Sequence, residues 1–386
     1  MFFKSSHVAL AFLGSASAAV AVAQAGQQPT AGQQPSAGQA KPNAQGAKPW
    51  VAPGTPGSPI KGELFHAQVL LSAHAFSPGV IDGKAGESFK LSLTSFQRSR
   101  GLPATGKLDN ATRGALLQAN RPSTVMVRLG PDDVRSQYIY PFPSNPEKQA
   151  ELKFLGYRNM LEKLAERYHT TPDTIVALNG PDKMIGLGHT LRLPNVVPAS
   201  HDYAGVQGNG AIALKALNVE GQQPQGDYVV VDKSEGVLKV YRGSVPSGTQ
   251  TDSKGQANGA TNASGGAGSG TQLVAAFPVT MGSKQYPLPI GRWKATTYAY
   301  LPPFKYQPQL LNHPKTDKEV TLPPGPNGPV GLAWLDLTKE HYGIHGTNEP
   351  QTIGRAESSG CIRMTNWDVL RLSRMLKPGF TAIFQA

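Results

Sequence analysis

One cysteine, Cys361, stands in a chain of 386 residues. A single thiol cannot form an internal disulfide, so no bridge framework is available to this fold. Long hydrophobic runs are missing too. The one apolar stretch, residues 8–23, is rich in Ala, Ser and Gly and falls short of the roughly 20 residues needed to span a bilayer. Lys4 precedes it, and Ala23-Gln24-Ala25 follows with small residues at both positions a signal peptidase reads. Residues 1–25 therefore read as an export signal with a mature start at Gly26, rather than as an anchor. The expected location is the periplasm, and an integral membrane protein is not expected. In such an oxidising compartment an unpaired thiol needs a task, and composition alone leaves a reactive and an inert buried cysteine equally open. Acidic residues are outnumbered as well: 25 Asp and Glu against 37 Lys and Arg give a formal net charge of +12. A basic exported chain suits an anionic polymer. Nucleic acid is disfavoured as that polymer, because the charge is spread out and export removes the partner.

What is abundant is glycine and proline, 43 and 33 residues, more than a compact fold needs, which points to linkers. Residues 26–60 are built from Gln, Pro, Ala and Gly, with Ala-Gly-Gln-Gln-Pro at 25–29 and again at 31–35. Such a segment cannot bury a core and reads as a tether. Residues 61–120 carry helical stripes, Leu64, Leu71 and Ala75 and then Phe89, Leu93 and Phe96, separated by turns at Pro78-Gly79 and Ile81-Asp82-Gly83. Asp109 or Asn110 is placed to cap a third short helix. Within 123–150 only 125–129 suggests a strand. Residues 150–196 show two short helical patterns, around Leu164 and around Ile175, then an apolar run at Leu191 and Leu193. From 226 to 386 the pattern turns β-rich, with a hairpin signal at Lys233-Ser234-Glu235-Gly236 and one clear helix over 366–376. A Gly/Ser/Thr/Asn-rich stretch, 243–270, reads as a disordered insertion. The fold class is multidomain α+β, with helices segregated from a mostly β C-terminal domain.

The densest chemistry lies at Tyr342-Gly343-Ile344-His345-Gly346-Thr347 and Ser358-Ser359-Gly360-Cys361-Ile362-Arg363-Met364. A thiol is a good acyl acceptor only as thiolate and needs a base or a positive field nearby. His345 lies upstream of Cys361, and the glycines between them permit a chain reversal. A histidine so placed can take the thiol proton and return it to a leaving amine. Backbone N–H groups at the Ser359–Cys361 turn are candidates for an oxyanion hole, with Gly360 leaving room beside the nucleophile. Glu340-His341 with His345 does not have the His-Glu-x-x-His spacing of a helical zinc site, so no metal or other cofactor is expected. Trp293, Trp334 and Tyr342 suit either a substrate groove or the core.

This cluster, with Pro289-Ile290-Gly291-Arg292-Trp293 and Pro323-Pro324-Gly325-Pro326-Asn327, resembles the L,D-transpeptidase family with the YkuD-type catalytic domain. The turn phrase 79–83, Phe96-Gln97, Gly101-Leu102, Thr105-Gly106 and Thr112 resemble a small helical peptidoglycan-binding domain. Residues 150–196 resemble a degenerate LysM module whose opening strand is not visible before Met160. The resemblance implies a β-sandwich-like catalytic domain and peptidoglycan stem peptides and glycan as partners. It implies Cys361 as nucleophile, His345 as base, the Gly346 carbonyl as the group orienting the imidazole, and Arg363 on the catalytic turn or a substrate carboxylate. The family usually has Ser-His-Gly-Cys; Ser359 replaces its second histidine here. Attack by an amine on the thioester would form a cross-link, attack by water would make a carboxypeptidase or endopeptidase, and a non-catalytic wall-binding protein is the third reading.

Overall fold

The apolar stripes of residues 61–120 fold into three helices, α1 (Gly62–Ala73), α2 (Glu87–Ser99) and α3 (Asn110–Leu116), in this computed structural model. The structure describes residues 60–246, 270–283, 286–311, 314–355 and 360–386, together with Pro53 and Ser58. The expected export signal, most of the tether and insertion, and Ser358 and Ser359 lie outside the described residues. Asp109 caps α3, accepting from the Thr112 N–H at 2.8 Å. Two buried glutamines organise the loops. Gln68 Oε1 accepts from the Asp82 and Gly83 N–H groups. Gln97 accepts from Gly106 N–H and donates to Thr112 Oγ1. The Phe-Gln pair is thus half core and half loop clamp: Phe96 and Gln97 are both fully buried.

A strand β1 (Thr124–Arg128) follows, then the short helices α4 (Pro131–Val134) and α5 (Pro146–Ala150), α6 (Met160–Arg167), α7 (Pro172–Asn179) and strand β2 (Thr190–Pro194). β1 and β2 pair antiparallel, Val125 opposite Leu193 and Val127 opposite Leu191. β1 lies upstream of the expected boundary at 150 and is separated from α6 by residues 129–159. Periodicity could not join two strands so far apart.

The C-terminal domain begins with α8 (Asn209–Ala216), continues through β3 (Tyr228–Asp232), β4 (Val237–Arg242), β5 (Gln272–Pro278), β6 (Gly291–Tyr300), β7 (Phe304–Tyr306), β8 (Val320–Leu322), β9 (Ala333–Leu337), β10 (Gly343–His345) and β11 (Ile362–Arg363), and ends with α9 (Asn366–Met375) and β12 (Thr381–Gln385). β7 and β8 form a separate pair; the other eight strands form one mostly antiparallel sheet ordered β11-β10-β9-β6-β12-β3-β4-β5. Its two ends meet. Thr280, just past β5, exchanges both backbone hydrogen bonds with Arg363 of β11, at 3.0 and 2.8 Å. The expected sandwich is thus a single sheet curled on itself. Tyr203, Leu214, Leu217 and Val219 join its core, so residues upstream of 226 belong to it structurally.

From Pro53 onward the described residues form one compact unit. The helical segment and the curled sheet share a core, in which Phe76, Phe89, Leu93 and Phe96 meet Val237 and Ala276. Phe65 and Val69 of α1 share another with Leu164, Ile175, Leu191 and Leu193. Among the described residues no helix is long and apolar enough to cross a membrane.

The first turn of α9 ties these parts together. Thr365 caps it. Asn366 Nδ2 donates to Glu166 Oε1 at 2.6 Å. Trp367 stacks on His169, with ring centroids 5.0 Å apart. Asp368 Oδ2 accepts from Ser77 Oγ at 2.6 Å. Glu166 is buried, and burial raises its carboxyl to about 7. The folded state thus holds a proton that the unfolded chain releases near pH 4.3. Stability falls wherever the native state binds more protons as pH rises. Thermal melts of wild type and Glu166→Gln should therefore show a Tm difference that shifts in favour of the variant from about pH 4.5 through pH 7; a difference independent of pH would show that Glu166 does not ionise there.

Candidate active site

Strand alternation builds the site. β10 and β11 run parallel, with Ile344 opposite Ile362 and His345 opposite Arg363. Ile344 and Ile362 are fully buried in the core. Successive side chains on a strand point to opposite faces. His345 and Arg363 therefore share the other face with Gly343 and with Cys361, which immediately precedes β11. β9 adds to this face, because Trp334 pairs with His345 and Asp336 with Gly343. The expected nucleophile, base and arginine are thus brought to one patch by a two-residue register.

Trp334 stacks on His345, with centroids 5.3 Å apart and planes 16° from parallel. Its indole N–H donates to Asp336 Oδ1 at 3.1 Å. The indole crosses Gly343: a Cβ there would lie 2.4 Å from the ring, so only glycine admits this stack. Gly360 is under a double constraint. Its φ of +110° disfavours any L side chain, and a Cβ would meet the Tyr342 ring at 2.8 Å. Tyr342 thereby backs the turn that delivers Cys361. Its hydroxyl is pushed up by burial and by the neighbouring thiol.

His345 Nδ1 lies 2.7 Å from the Gly346 carbonyl. A carbonyl only accepts, so Nδ1 carries the proton and Nε2 keeps its lone pair. Burial, aided by the Arg363 charge, pushes this imidazole down to about 3. It is neutral at physiological pH. Cys361 is half-buried. Its Sγ lies 3.6 Å from the His341 carbonyl, as a thiol donor would. Burial raises the thiol, and Asp336 adds to this; the Gly343 N–H and Arg363 act the other way. The pair at rest is therefore neutral thiol and neutral imidazole. Arg363 is held by its backbone between Thr280 and β10, while its Nε has no hydrogen-bond partner among the described residues.

Of the expected residues, Cys361, His345 and Arg363 share a face, the Gly346 carbonyl meets the imidazole, and Gly360 shapes the turn. Trp293 is a core residue, whereas Trp334 and Tyr342 belong to the site. Sequence reasoning passed over Asp336. The signal was available, because Ala333-Trp334-Leu335-Asp336-Leu337 alternates small or apolar with polar or aromatic, placing Trp334 and Asp336 together on one face.

Residues 226–384 match the family described as "L,D-transpeptidase catalytic domain", and residues 62–116 match the "Putative peptidoglycan binding domain". A Bacillus licheniformis protein named "Putative L,D-transpeptidase YkuD" is 57% identical over 60 residues, 16% of this chain and 36% of that protein. Its Bacillus subtilis namesake is 57% identical over 54 residues, 14% of this chain and 33% of that protein. Bacillus subtilis "Putative L,D-transpeptidase YqjB" is 37% identical over 59 residues, 14% and 34% respectively. The chain spans about a third of the length of these curated relatives. The curled β-sheet thus coincides with the segment that matches the L,D-transpeptidase catalytic domain, and the helical unit before it with the segment that matches the peptidoglycan-binding domain.

Proposed function

We propose that this protein is an exported peptidoglycan L,D-transpeptidase that works through a Cys361 thioester, with His345 as its base. The observation that carries the reading is the shared face of β10 and β11, where a half-buried thiol stands diagonal to an imidazole whose free nitrogen is Nε2. Both groups are neutral at rest, so the proton moves during attack. Sγ bonds to the stem-peptide carbonyl carbon as the thiol proton passes to His345 Nε2. The tetrahedral oxyanion collapses, the amide C–N bond breaks, and Nε2 returns the proton to the departing D-Ala amine. An acceptor amine then attacks the thioester, gives its proton to His345, and Sγ leaves and is reprotonated. The Gly343 N–H, already directed at the sulfur, can stabilise the negative charge that develops there. The unpartnered Arg363 Nε suits a substrate carboxylate. The net charge of +12 suits a wall polymer bearing carboxylates. The β1-α6-α7-β2 arrangement supports a LysM-like glycan-binding role for residues 124–194.

Two measurements test this. Incubation with disaccharide-tetrapeptide and disaccharide-pentapeptide should give dimers lacking one D-Ala by mass spectrometry, and none from Cys361→Ala. Trimmed monomers alone would make water the acceptor, and no product would leave wall binding as the function. A carbapenem should add its mass to Cys361, and His345→Ala should slow that acylation by roughly 10²–10⁴-fold; an undiminished rate would remove His345 from the role of base.

The resting state makes its own prediction. Alkylation of wild-type Cys361 by iodoacetamide should rise with pH through a midpoint above the ordinary thiol value of about 8.5. A rate already at its plateau near pH 6 would mean a preformed thiolate–imidazolium pair instead.

A further inference from the structure

The orientation of His345 depends on the Gly346 carbonyl, and the Gly346 peptide is held from behind. Asn366 Oδ1 fills the space between Gly331 and Gly346: a Cβ on either glycine would come within 1.8 or 1.9 Å of it. That oxygen accepts from the Leu332 N–H at 3.0 Å. The amide nitrogen of Asn366 then has to face an acceptor, because its two ends are not interchangeable. Turning the amide over would set Nδ2 against the Leu332 N–H, donor to donor. The acceptor is Glu166 Oε1 at 2.6 Å, with the Pro326 carbonyl a longer second partner at 3.4 Å. Glu166 is itself aimed by Tyr157, whose hydroxyl donates to Oε2 at 2.6 Å. Asn366 is fully buried and Glu166 nearly so, leaving little water to substitute for a lost partner.

We infer that Glu166, on α6 in the segment between the peptidoglycan-binding unit and the catalytic domain, is a positioning residue for His345, acting through Asn366 and the Gly346 peptide. It touches no reacting atom. It keeps Asn366 in the one orientation that leaves the Gly346 carbonyl on Nδ1, and so keeps Nε2 free of its proton. The segment carrying α6 is thereby part of the catalytic assembly as well as a neighbour of the wall-binding unit. The inference rests on His345 being the base.

The test uses the full chain. Glu166→Leu removes the acceptor and keeps most of the volume, whereas Glu166→Gln keeps an acceptor oxygen. Two readouts are followed: the His345 Nδ1–H resonance in 15N-edited NMR, and Cys361 acylation by a carbapenem as a function of its concentration. Glu166→Leu should shift or broaden the resonance. Its maximal acylation rate should drop roughly ten- to a hundredfold, as for a misplaced catalytic group, with the half-saturating concentration unchanged. Glu166→Gln should hold both readouts within a few-fold of wild type. A cooperatively folded Glu166→Leu with wild-type resonance and rate overturns the inference, and so does a Glu166→Gln as impaired as Glu166→Leu. Should Glu166→Leu fail to fold, Asn366→Ala decides: wild-type values there break the link. Absence of acylation in wild type would instead sink the proposed function, while the resonance still reports on the link.

Discussion

Two residues of parallel pairing carry the site. Ile344 opposite Ile362 and His345 opposite Arg363 set which side chains face the core and which face outward. A slip of one residue would send His345 inward and an isoleucine out. The register is held from three directions. Both isoleucines are buried, β9 pairs with β10 on one side, and Thr280 pairs with Arg363 on the other. Strands this short hold little pairing energy of their own. Closure of the curled sheet, which sandwiches β11 between β10 and Thr280, gives them a fixed place.

The first turn of α9 is the second constraint. Three consecutive residues, Asn366, Trp367 and Asp368, contact Glu166, His169 and Ser77, and Arg371 Nη2 donates to the Ser72 carbonyl. All of these residues are buried except Ser72, which is half-buried. Removing one partner of a buried polar pair costs more than the pair contributes, because the survivor is left desolvated and unmatched. Such contacts therefore specify one relative placement of α9, α6 and the chain after α1. β11 is joined to α9 by Met364 and Thr365, so the placement is passed directly to Cys361.

Burial also sets the chemistry. It raises the thiol and lowers the imidazole, so both resting groups are uncharged. In the proposed mechanism the cost of separating charge would fall in the attack step, where the Gly343 N–H and Arg363 favour negative charge on sulfur.

The helical stripes of residues 61–120, the Asp109 cap, the hairpin at 233–236 and the grouping of His345, Gly360, Cys361 and Arg363 along the chain were legible in the sequence. Each is written in residue type and short-range spacing, where periodicity and turn chemistry act. The strand Ala333–Leu337 was legible as well, although its outward Trp334 and Asp336 needed a partner strand to acquire meaning. Other features had no local signature. Pairing of β1 with β2 spans more than sixty residues, and the contact of Glu166 with Asn366 spans 200. Composition and motif spacing determined which reactive groups this protein possesses. Tertiary structure alone decided that they share one face, that both are neutral at rest, and that the Glu166 carboxyl group of a different segment meets Asn366 behind them, because register, burial and long-range hydrogen bonds exist only once the sheet has closed.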